Sequence, residues 1–200
     1  MNGKIGMNRA LRVIAQLSID KSSQVLSKLV RGGARIAMED SHLADISQVT
    51  ERIGKNNDEV VGTFIDLKGD VGFKFLFFVK PEDSFILADL MLRRAPGTTK
   101  EFDIYAQSAV QEIGNILASS ISNVFSTDFH ISIKPTPPTV IHDYAGTVFD
   151  EYIVRAAKES NEIFIIESKF EVVKHYIDCH MFVVPVAESE KILSYIVNTL

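Results

Sequence analysis

The segment AVQEIGNILASSISNVFSTD, residues 109–128, decides the fold prediction because it repeats an earlier part of the same chain. Shifted by 99 positions, it aligns with ALRVIAQLSIDKSSQVLSKL, residues 10–29, with five identical residues. A second pair, LFFVKPEDSFIL at 76–87 and FVVPVAESEKIL at 182–193, aligns at a shift of 106. Five identities in 20 are weak alone, but the two pairs together indicate an internal duplication.

The predicted elements follow the same order in both halves, namely a helix, three strands and a helix. Hydrophobic periodicity predicts helices at about 7–31, 81–92, 102–125 and 188–200, with Gly32-Gly33 ending the first. A further helical segment is predicted at 144–157, although its β-branched residues argue against it. Strands are predicted at about 34–38, 60–67, 71–79, 129–134, 163–170 and 175–184.

This order predicts an α+β fold, internally duplicated and pseudo-twofold. We expect a largely antiparallel sheet of about six strands, packed with long helices. A single domain is predicted over 1–200, built of related halves at about 1–95 and 100–200. The turn Lys68-Gly69-Asp70 predicts a β-hairpin between the strands at 60–67 and 71–79.

Composition excludes several classes of protein. The net charge is −5, the chain has no Trp, and no basic run exceeds Arg93-Arg94, so nucleic-acid binding is not expected. The longest apolar run, 71–79, contains Lys74 and is too short to insert in a membrane. The N-terminus lacks a signal-peptide pattern, and the single Cys179 on a predicted strand fits a packed thiol. We therefore predict a cytoplasmic protein.

The candidate site is a polar stripe on the helix at 102–125. Ser108, Glu112 and Asn115 are spaced four and three residues apart, so they share one helix face. The stripe continues to Ser119 and Ser122, and the opposite, apolar stripe consists of Val110, Ile113, Leu117, Ile121 and Val124. A carboxylate beside a carboxamide can hold a cation and orient a water. The alternative is an ordinary solvated helix face.

The duplication places the site in the second half alone. The positions equivalent to Ser108, Glu112, Asn115 and Pro138 are occupied by Arg9, Val13, Gln16 and Glu39. The first half thus keeps the helix but none of the polar residues.

The spacing Ser-x3-Glu-x2-Asn-x22-Pro, residues 108–138, resembles the active-site signature of the CheC/CheX/FliY phosphatases of prokaryotic chemotaxis. The text QEIGNILASSISNVF is similar to the second active-site helix of CheC-like proteins. The two related halves, the hairpin and the closing strand–strand–helix extend this resemblance across nearly all of the chain.

The resemblance implies a hydrolase that removes the phosphoryl group from the phosphoaspartate of the response regulator CheY. Asn115 would align the attacking water, and Glu112 would engage a cation, the regulator's active-site lysine. Ser108 would orient Glu112 or touch the partner, and Pro138 would shape the segment beside the helix. No cofactor is expected in this chain, since the regulator supplies Mg²⁺.

The same resemblance leaves a binding role open. CheC-like proteins can bind the receptor deamidase CheD, and the first helix, with Val13 and Gln16, would suit a weakly catalytic or non-catalytic adaptor for CheD or phosphorylated CheY. A flagellar-switch role as in FliY is less expected, because no additional C-terminal domain is seen in the sequence. The five histidines show no metal-ligand spacing, and Gly114 predicts close packing of its helix.

Overall fold

A computed structural model of the chain describes residues 2–30, 34–49, 55, 57–154, 162–172, 175–186, 189 and 196. Its helices are α1 (Asn2–Leu29), α2 (Pro81–Met91), α3 (Ile104–Phe129) and α4 (Ala145–Val148), with a 3-10 turn at Ile46–Gln48 and a π-helical turn at Phe149–Val154 that follows α4. The strands are β1 (Ala34–Asp45), β2 (Glu59–Gly69), β3 (Phe73–Val79), β4 (Ile133–Pro135), β5 (Thr139–Tyr144), β6 (Glu162–Val172) and β7 (His175–Pro185).

The seven strands form one antiparallel sheet with six strand positions. Five strands follow the order β1-β6-β7-β3-β2. The sixth position, beside β2, is shared by two short strands, since β4 pairs with residues 67–69 of β2 and β5 with residues 59–64. The predicted α+β fold with about six strands is confirmed.

The strand order is symmetrical about the contact between β3 and β7. These two strands, each the last of its half, pair at the centre of the sheet, and β2 and β6 flank them. Each outer position is filled by a strand from the other half: β1 pairs with β6, and β4 and β5 pair with β2. This exchange of outer strands ties the two halves of the chain into one sheet.

Apolar side chains alternate between the two faces of the sheet, as a period of two residues requires. On one face, residues such as Ile65, Phe75 and Phe77 pack with α1 and α3. On the other face, Phe78, Phe182 and Ile165 pack with α4 and the π-helical turn. The sheet is therefore covered on both sides, and its central strand β3 is apolar at every position except Lys74.

The first strand is longer than the sequence predicts. The prediction ended it at Met38, but β1 continues to Asp45 and pairs with β6 along its length, with a bulge between Met38 and Asp40. Charged and polar residues at 39–42 resemble a loop in the sequence. Backbone ladder hydrogen bonds do not depend on side-chain polarity, and an edge strand tolerates polar side chains.

The region after α3 also differs from the prediction. The strand predicted at 129–134 is only Ile133–Pro135, because α3 runs to Phe129 and ends where His130 adopts a left-handed conformation, with φ of 57°. Strand β5 was not predicted, because it directly follows a proline-rich segment. The segment predicted at 144–157 is helical through Val154, and the rest of it lies outside the described residues. The helix predicted at 188–200 lies outside them as well, apart from residues 189 and 196.

Cys179 is buried on β7, as predicted, and burial raises the pKa of its thiol far above the usual range. Among the described residues, no helix combines the length and the apolar character needed to cross a bilayer.

Asp83, in the first turn of α2, is expected to reduce stability at neutral pH. Burial, and then repulsion from Glu82, raise the pKa of Asp83 to about 6. As pH rises from 4 to 6, the unfolded chain releases this proton while the folded chain retains it, so stability falls. We expect Asp83→Asn to raise Tm at pH 7.5 but not at pH 4. Because the carboxyl is only half-buried, the gain should be about 2–4 °C.

Thermal unfolding followed by circular dichroism at both pH values measures this effect. Glu101→Gln is the matched control, since Glu101 is an exposed acidic residue in a loop. An equal change in Tm for Asp83→Asn at pH 4 and pH 7.5 would show that the cause is not titration of this carboxyl.

Candidate functional site

Helix α3 is held firmly at its beginning. The carboxylate of the N-cap residue Asp103 accepts hydrogen bonds from the backbone N–H groups of Tyr105 and Ala106, at 3.0 and 2.9 Å. The predicted apolar stripe of α3 is buried, as expected, and consists of Val110, Ile113, Leu117, Ile121 and Val124. The helix therefore presents a fixed outer face.

The site residues lie on this outer face. Glu112 and Ser108 are exposed, and Asn115 is half-buried. Within the described part of the chain, neither Glu112 nor Asn115 has a side-chain hydrogen bond or ion pair. The hydroxyl of Ser108 donates to the carbonyl oxygen of Ile104, at 2.8 Å, rather than to Glu112. The carboxylate and the carboxamide are thus available to another molecule.

The predicted polar stripe is shorter than the sequence suggests. Ser119 is half-buried, and Ser122 is buried with no hydrogen-bond partner for its hydroxyl among the described residues. The C-terminal half of α3 packs against α1 and β4, and Lys21 of α1 forms an ion pair with Asp128, at 2.8 Å. The accessible part of the stripe is therefore its N-terminal part, up to Asn115.

Gly114 sets the distance between α3 and the sheet. An added Cβ at this position would overlap the side chain of Thr63 on β2, with Thr63 Cβ only 3.0 Å away. Close packing of Gly114 was predicted, and the structure shows that its partner is the sheet. Because Gly114 and Asn115 are adjacent, the height of the helix above β2 determines how far Asn115 projects.

Pro138 lies near the same crossing point. It directly precedes Thr139, which pairs with Phe64 of β2, while Val140 pairs with Thr63 below Gly114. The start of α3 is also joined to β5, since the Phe102 and His142 rings are 4.7 Å apart. The structure thus places Pro138 directly before the strand that pairs with the β2 segment under Gly114.

Two residues that the sequence analysis missed hold the Pro138 segment in place. The backbone N–H of Thr136 donates to the carbonyl of Asp66, at 2.8 Å, and the N–H of Asp66 donates to Thr136 Oγ1, at 3.1 Å. In the run 135–138 only Thr136 has a backbone N–H, because the other three residues are prolines. That single donor is the signal from which this contact could have been predicted.

The carboxylate of Asp66 is itself fixed by cations. Its oxygens lie 2.9 Å from Lys74 Nζ and 3.3 Å from Lys68 Nζ. Burial alone would raise the pKa of Asp66, but hydrogen bonds and charge attraction from Lys74 and Lys68 outweigh it and lower the pKa. Asp66 therefore stays ionised at neutral pH. Its ion pairs fix the part of β2 to which the Pro138 segment is hydrogen-bonded.

The equivalent positions of the first half are used differently. The Gln16 amide donates to the Asp20 carboxylate, at 3.0 Å, and Val13 is half-buried. Glu39 forms an ion pair with Lys169, at 3.0 Å. These groups are engaged within the molecule, whereas Glu112 and Asn115 have no such partner in the described part of the chain.

Replacing Gly114 tests the spacing of helix and sheet. In an open helix, Gly→Ala would stabilise by about 1 kcal/mol. Here the new methyl group meets Thr63, so Gly114→Ala is expected to destabilise the protein by roughly 1–3 kcal/mol. Urea unfolding of the variant measures the change.

The double variant Gly114→Ala/Thr63→Ala provides the control. Removing the Thr63 hydroxyl and methyl group relieves the two closest contacts, so it should recover part of the lost stability. Strictly additive losses in the double variant would contradict this packing argument.

The outer face of α3 offers a carboxylate and a carboxamide to a second molecule. Among the described residues, no three His, Cys, Asp or Glu side chains are grouped as a metal site. Ser108, one turn before Glu112, donates its hydroxyl to a carbonyl oxygen of its own helix. We call the outer face of α3 from Ser108 to Asn115 the ridge. The Glu112 carboxylate and the Asn115 amide on this ridge are suited to completing a reaction centre in a partner.

Comparisons with known proteins agree with the resemblance seen in the sequence. The model of the CheC-like family matches residues 106–142, which hold Ser108, Glu112, Asn115 and Pro138. A CheY-P phosphatase CheC from Bacillus subtilis is 22% identical over 184 residues, covering 88% of this chain and 86% of that protein. The resemblance to the CheC/CheX/FliY family is thereby confirmed.

Solved structures share the fold. FliY from Thermotoga maritima has a TM-score of 0.76 at 17% identity, covering 96% of each chain. CheX from Borrelia burgdorferi, in a complex with CheY, BeF3 and magnesium, has a TM-score of 0.53 at 18% identity, covering 84% of this chain and 95% of that one. The FliM middle domain from H. pylori has a TM-score of 0.69 at 16% identity, covering 96% and 98%.

Proposed function

From the similarity of this chain to the CheC-like family, we propose that it is a phosphatase acting on the phosphoaspartate of a CheY-type response regulator. The observation that carries the proposal is the pair Glu112 and Asn115, which project from the matched segment with no intramolecular partner among the described residues. A curated relative is a CheY-P phosphatase, and a structural relative is in a complex with CheY.

The proposed reaction is hydrolysis of an acyl phosphate. The oxygen of water attacks phosphorus, the bond between phosphorus and the aspartyl oxygen breaks, and the products are a free carboxylate and inorganic phosphate. An acyl phosphate is already activated, so the reaction needs mainly positioning and charge stabilisation. The Asn115 side-chain oxygen would accept a hydrogen bond from the water. This bond would orient the water so that a lone pair of the water oxygen points at phosphorus.

Glu112 would hold the partner in register. One helical turn separates it from Asn115, so both side chains can enter one acidic active site from the same ridge. We propose that its carboxylate pairs with the regulator's active-site lysine. The regulator would also hold the Mg²⁺ that neutralises phosphoryl charge, so no step depends on a metal bound by this chain.

Release of phosphate from the phosphorylated regulator tests the proposal. The regulator encoded by the same organism is phosphorylated in the presence of Mg²⁺, and its decay is followed with and without this protein. Catalytic amounts of the protein should accelerate phosphate release well above the regulator's own rate. A decay rate that does not depend on the protein would overturn the assignment.

The second candidate function is that of an adaptor, and the first half of the chain favours it. Helix α1 lacks the site residues, and between α1 and β1 lies an open, polar groove of about 600 Å³ whose lining includes Gln16, Asp20 and Arg35. FliM from H. pylori, a structural relative, has been solved in a complex with FliG. Binding to CheD or to phosphorylated CheY without accelerated decay would favour the adaptor.

A further inference from the structure

The beginning of α3 exposes two large apolar side chains beside the site. Ile104 is 71% exposed and Tyr105 48%, and Ile104 is the most exposed large hydrophobic residue in the described part of the chain. They occupy the first two positions of the helix, where the Asp103 cap fixes the backbone. A rigid pair of exposed apolar side chains favours contact with another molecule.

A cation lies against one member of this pair, Tyr105. The guanidinium carbon of Arg94 lies 4.9 Å from the centre of the Tyr105 ring, a cation–π contact. The backbone N–H of Arg94 donates to the carbonyl of Asp89, at 2.7 Å. Ile104, Tyr105 and Arg94, which we call the anchor patch, thus combine an aliphatic, an aromatic and a cationic group.

A buried carboxylate keeps the loop of Arg94 in place. Asp89 is fully buried in α2 and accepts hydrogen bonds from the N–H groups of Thr98 and Thr99, at 2.8 and 3.0 Å. The Thr99 hydroxyl donates to it as well, at 2.7 Å. These bonds satisfy the charge of Asp89 and fix both ends of the turn that carries Arg94, so the anchor patch is preformed.

The anchor patch is continuous with the proposed site. At 100° per residue, Ile104, Glu112 and Asn115 fall within an arc of about 80° on the outer face of α3. At 1.5 Å per residue, Ile104 lies about 12 Å from Glu112 along the helix axis and about 16 Å from Asn115. A protein that takes Glu112 and Asn115 into its active site and continues along this helix face toward the beginning of α3 would meet Ile104.

We infer that the anchor patch docks against the phosphorylated regulator, on an apolar surface that is edged by a carboxylate. The inference rests on the proposed function and adds the contact that determines affinity. Aromatic residues and arginine are enriched among the residues that contribute most to protein–protein affinity. Because the patch is remote from phosphorus, it binds ground state and transition state equally and lowers KM without raising kcat.

Substitution of Ile104 separates docking from chemistry. Ile104→Ala should weaken binding of the regulator loaded with beryllofluoride and Mg²⁺ by about 5- to 10-fold, measured by isothermal titration calorimetry. KM for the phosphorylated regulator should rise by a similar factor, whereas kcat at saturation is retained. Adding Tyr105→Ala should enlarge both changes.

Exposed hydrophobic residues elsewhere provide matched controls. Val25 on α1 is 42% exposed and Tyr176 on β7 is 69% exposed. Val25→Ala and Tyr176→Ala should leave the Kd for the loaded regulator unchanged. Unchanged Tm in all variants would exclude a folding defect.

The outcomes distinguish this inference from the proposed function. If Asn115→Ala abolishes turnover but Ile104→Ala and the double variant keep wild-type Kd and KM, the docking inference is wrong and the phosphatase assignment stands. If turnover is absent while the wild type binds the loaded regulator and Ile104→Ala weakens binding, docking is supported and catalysis is not. If Ile104→Ala changes only the self-association seen by sedimentation, the patch binds a second copy, and the inference is overturned.

Discussion

Asn115→Ala is expected to lower kcat for the phosphorylated regulator by roughly 100-fold or more, the cost of removing one preorganised hydrogen-bonding group from a reaction centre. The carboxamide does not titrate, so it can hold a water in the same way across the working pH range. Without it, the water is left to diffuse into line with phosphorus, and the positioning advantage is lost. A time course of phosphate release at saturating regulator measures kcat directly.

The effect should fall on kcat more than on binding. Asn115 contributes one polar side chain to a large contact, so the Kd for the regulator loaded with beryllofluoride and Mg²⁺ should change by less than about 3-fold. Gln16→Ala is the matched control, because Gln16 aligns with Asn115 when the two halves are compared. Wild-type turnover by Asn115→Ala would show that the ridge does not align the water.

The pH dependence gives a further measure of the same role. If Asn115 only orients water, turnover should show no ionisation that belongs to this residue. Asn115→Asp would introduce a carboxylate close to an anionic phosphoryl group and remove the donor, so it should be at least as impaired as Asn115→Ala. Recovery of activity by Asn115→Asp would instead indicate general-base catalysis.

Much of the fold could be predicted, because long elements with strong periodicity dominate it. Helix α3 and the hairpin of β2 and β3 follow from their apolar patterns and from the turn at Lys68-Gly69-Asp70. The alignment of residues 10–29 with 109–128 predicted that the two halves have the same order of elements. The exchange of outer strands could not be predicted, since pairing of β1 with β6 joins residues more than 100 positions apart and no local pattern records it.

The limits of the site were harder to predict than its centre. The spacing of Ser108, Glu112 and Asn115 identified the outer face of α3, but the burial of Ser122 depends on packing of distant segments. Hydrophobic periodicity shows which residues share a helix face. It does not show that α1 and β4 cover part of that face in the C-terminal half of α3. The contact of Gly114 with Thr63 is of the same kind, because a glycine in a helix predicts close packing without naming the partner.

Glu112→Gln is expected to lower kcat/KM by roughly 30-fold or more. The carboxylate is exposed in this protein and has no ion-pair partner in the described part of the chain, so it is free to pair with a cation of the regulator. On docking, that pair would be removed from water, and loss of one member of such a pair costs about 2 kcal/mol or more. Because glutamine has nearly the same size as glutamate, the change in kcat/KM for Glu112→Gln measures the effect of the charge.

Ionic strength separates this role from a structural one. An attraction between Glu112 and a lysine should weaken as salt is added, because the Debye length falls from about 10 Å at 0.1 M to about 3 Å at 1 M. The kcat/KM of the wild type should therefore decline with salt more steeply than that of Glu112→Gln. Glu151→Gln, an exposed carboxylate on the π-helical turn, should keep the wild-type slope. Identical salt slopes for wild type and Glu112→Gln would mean that the carboxylate meets no cation, and that Asn115 alone carries the chemistry of the ridge.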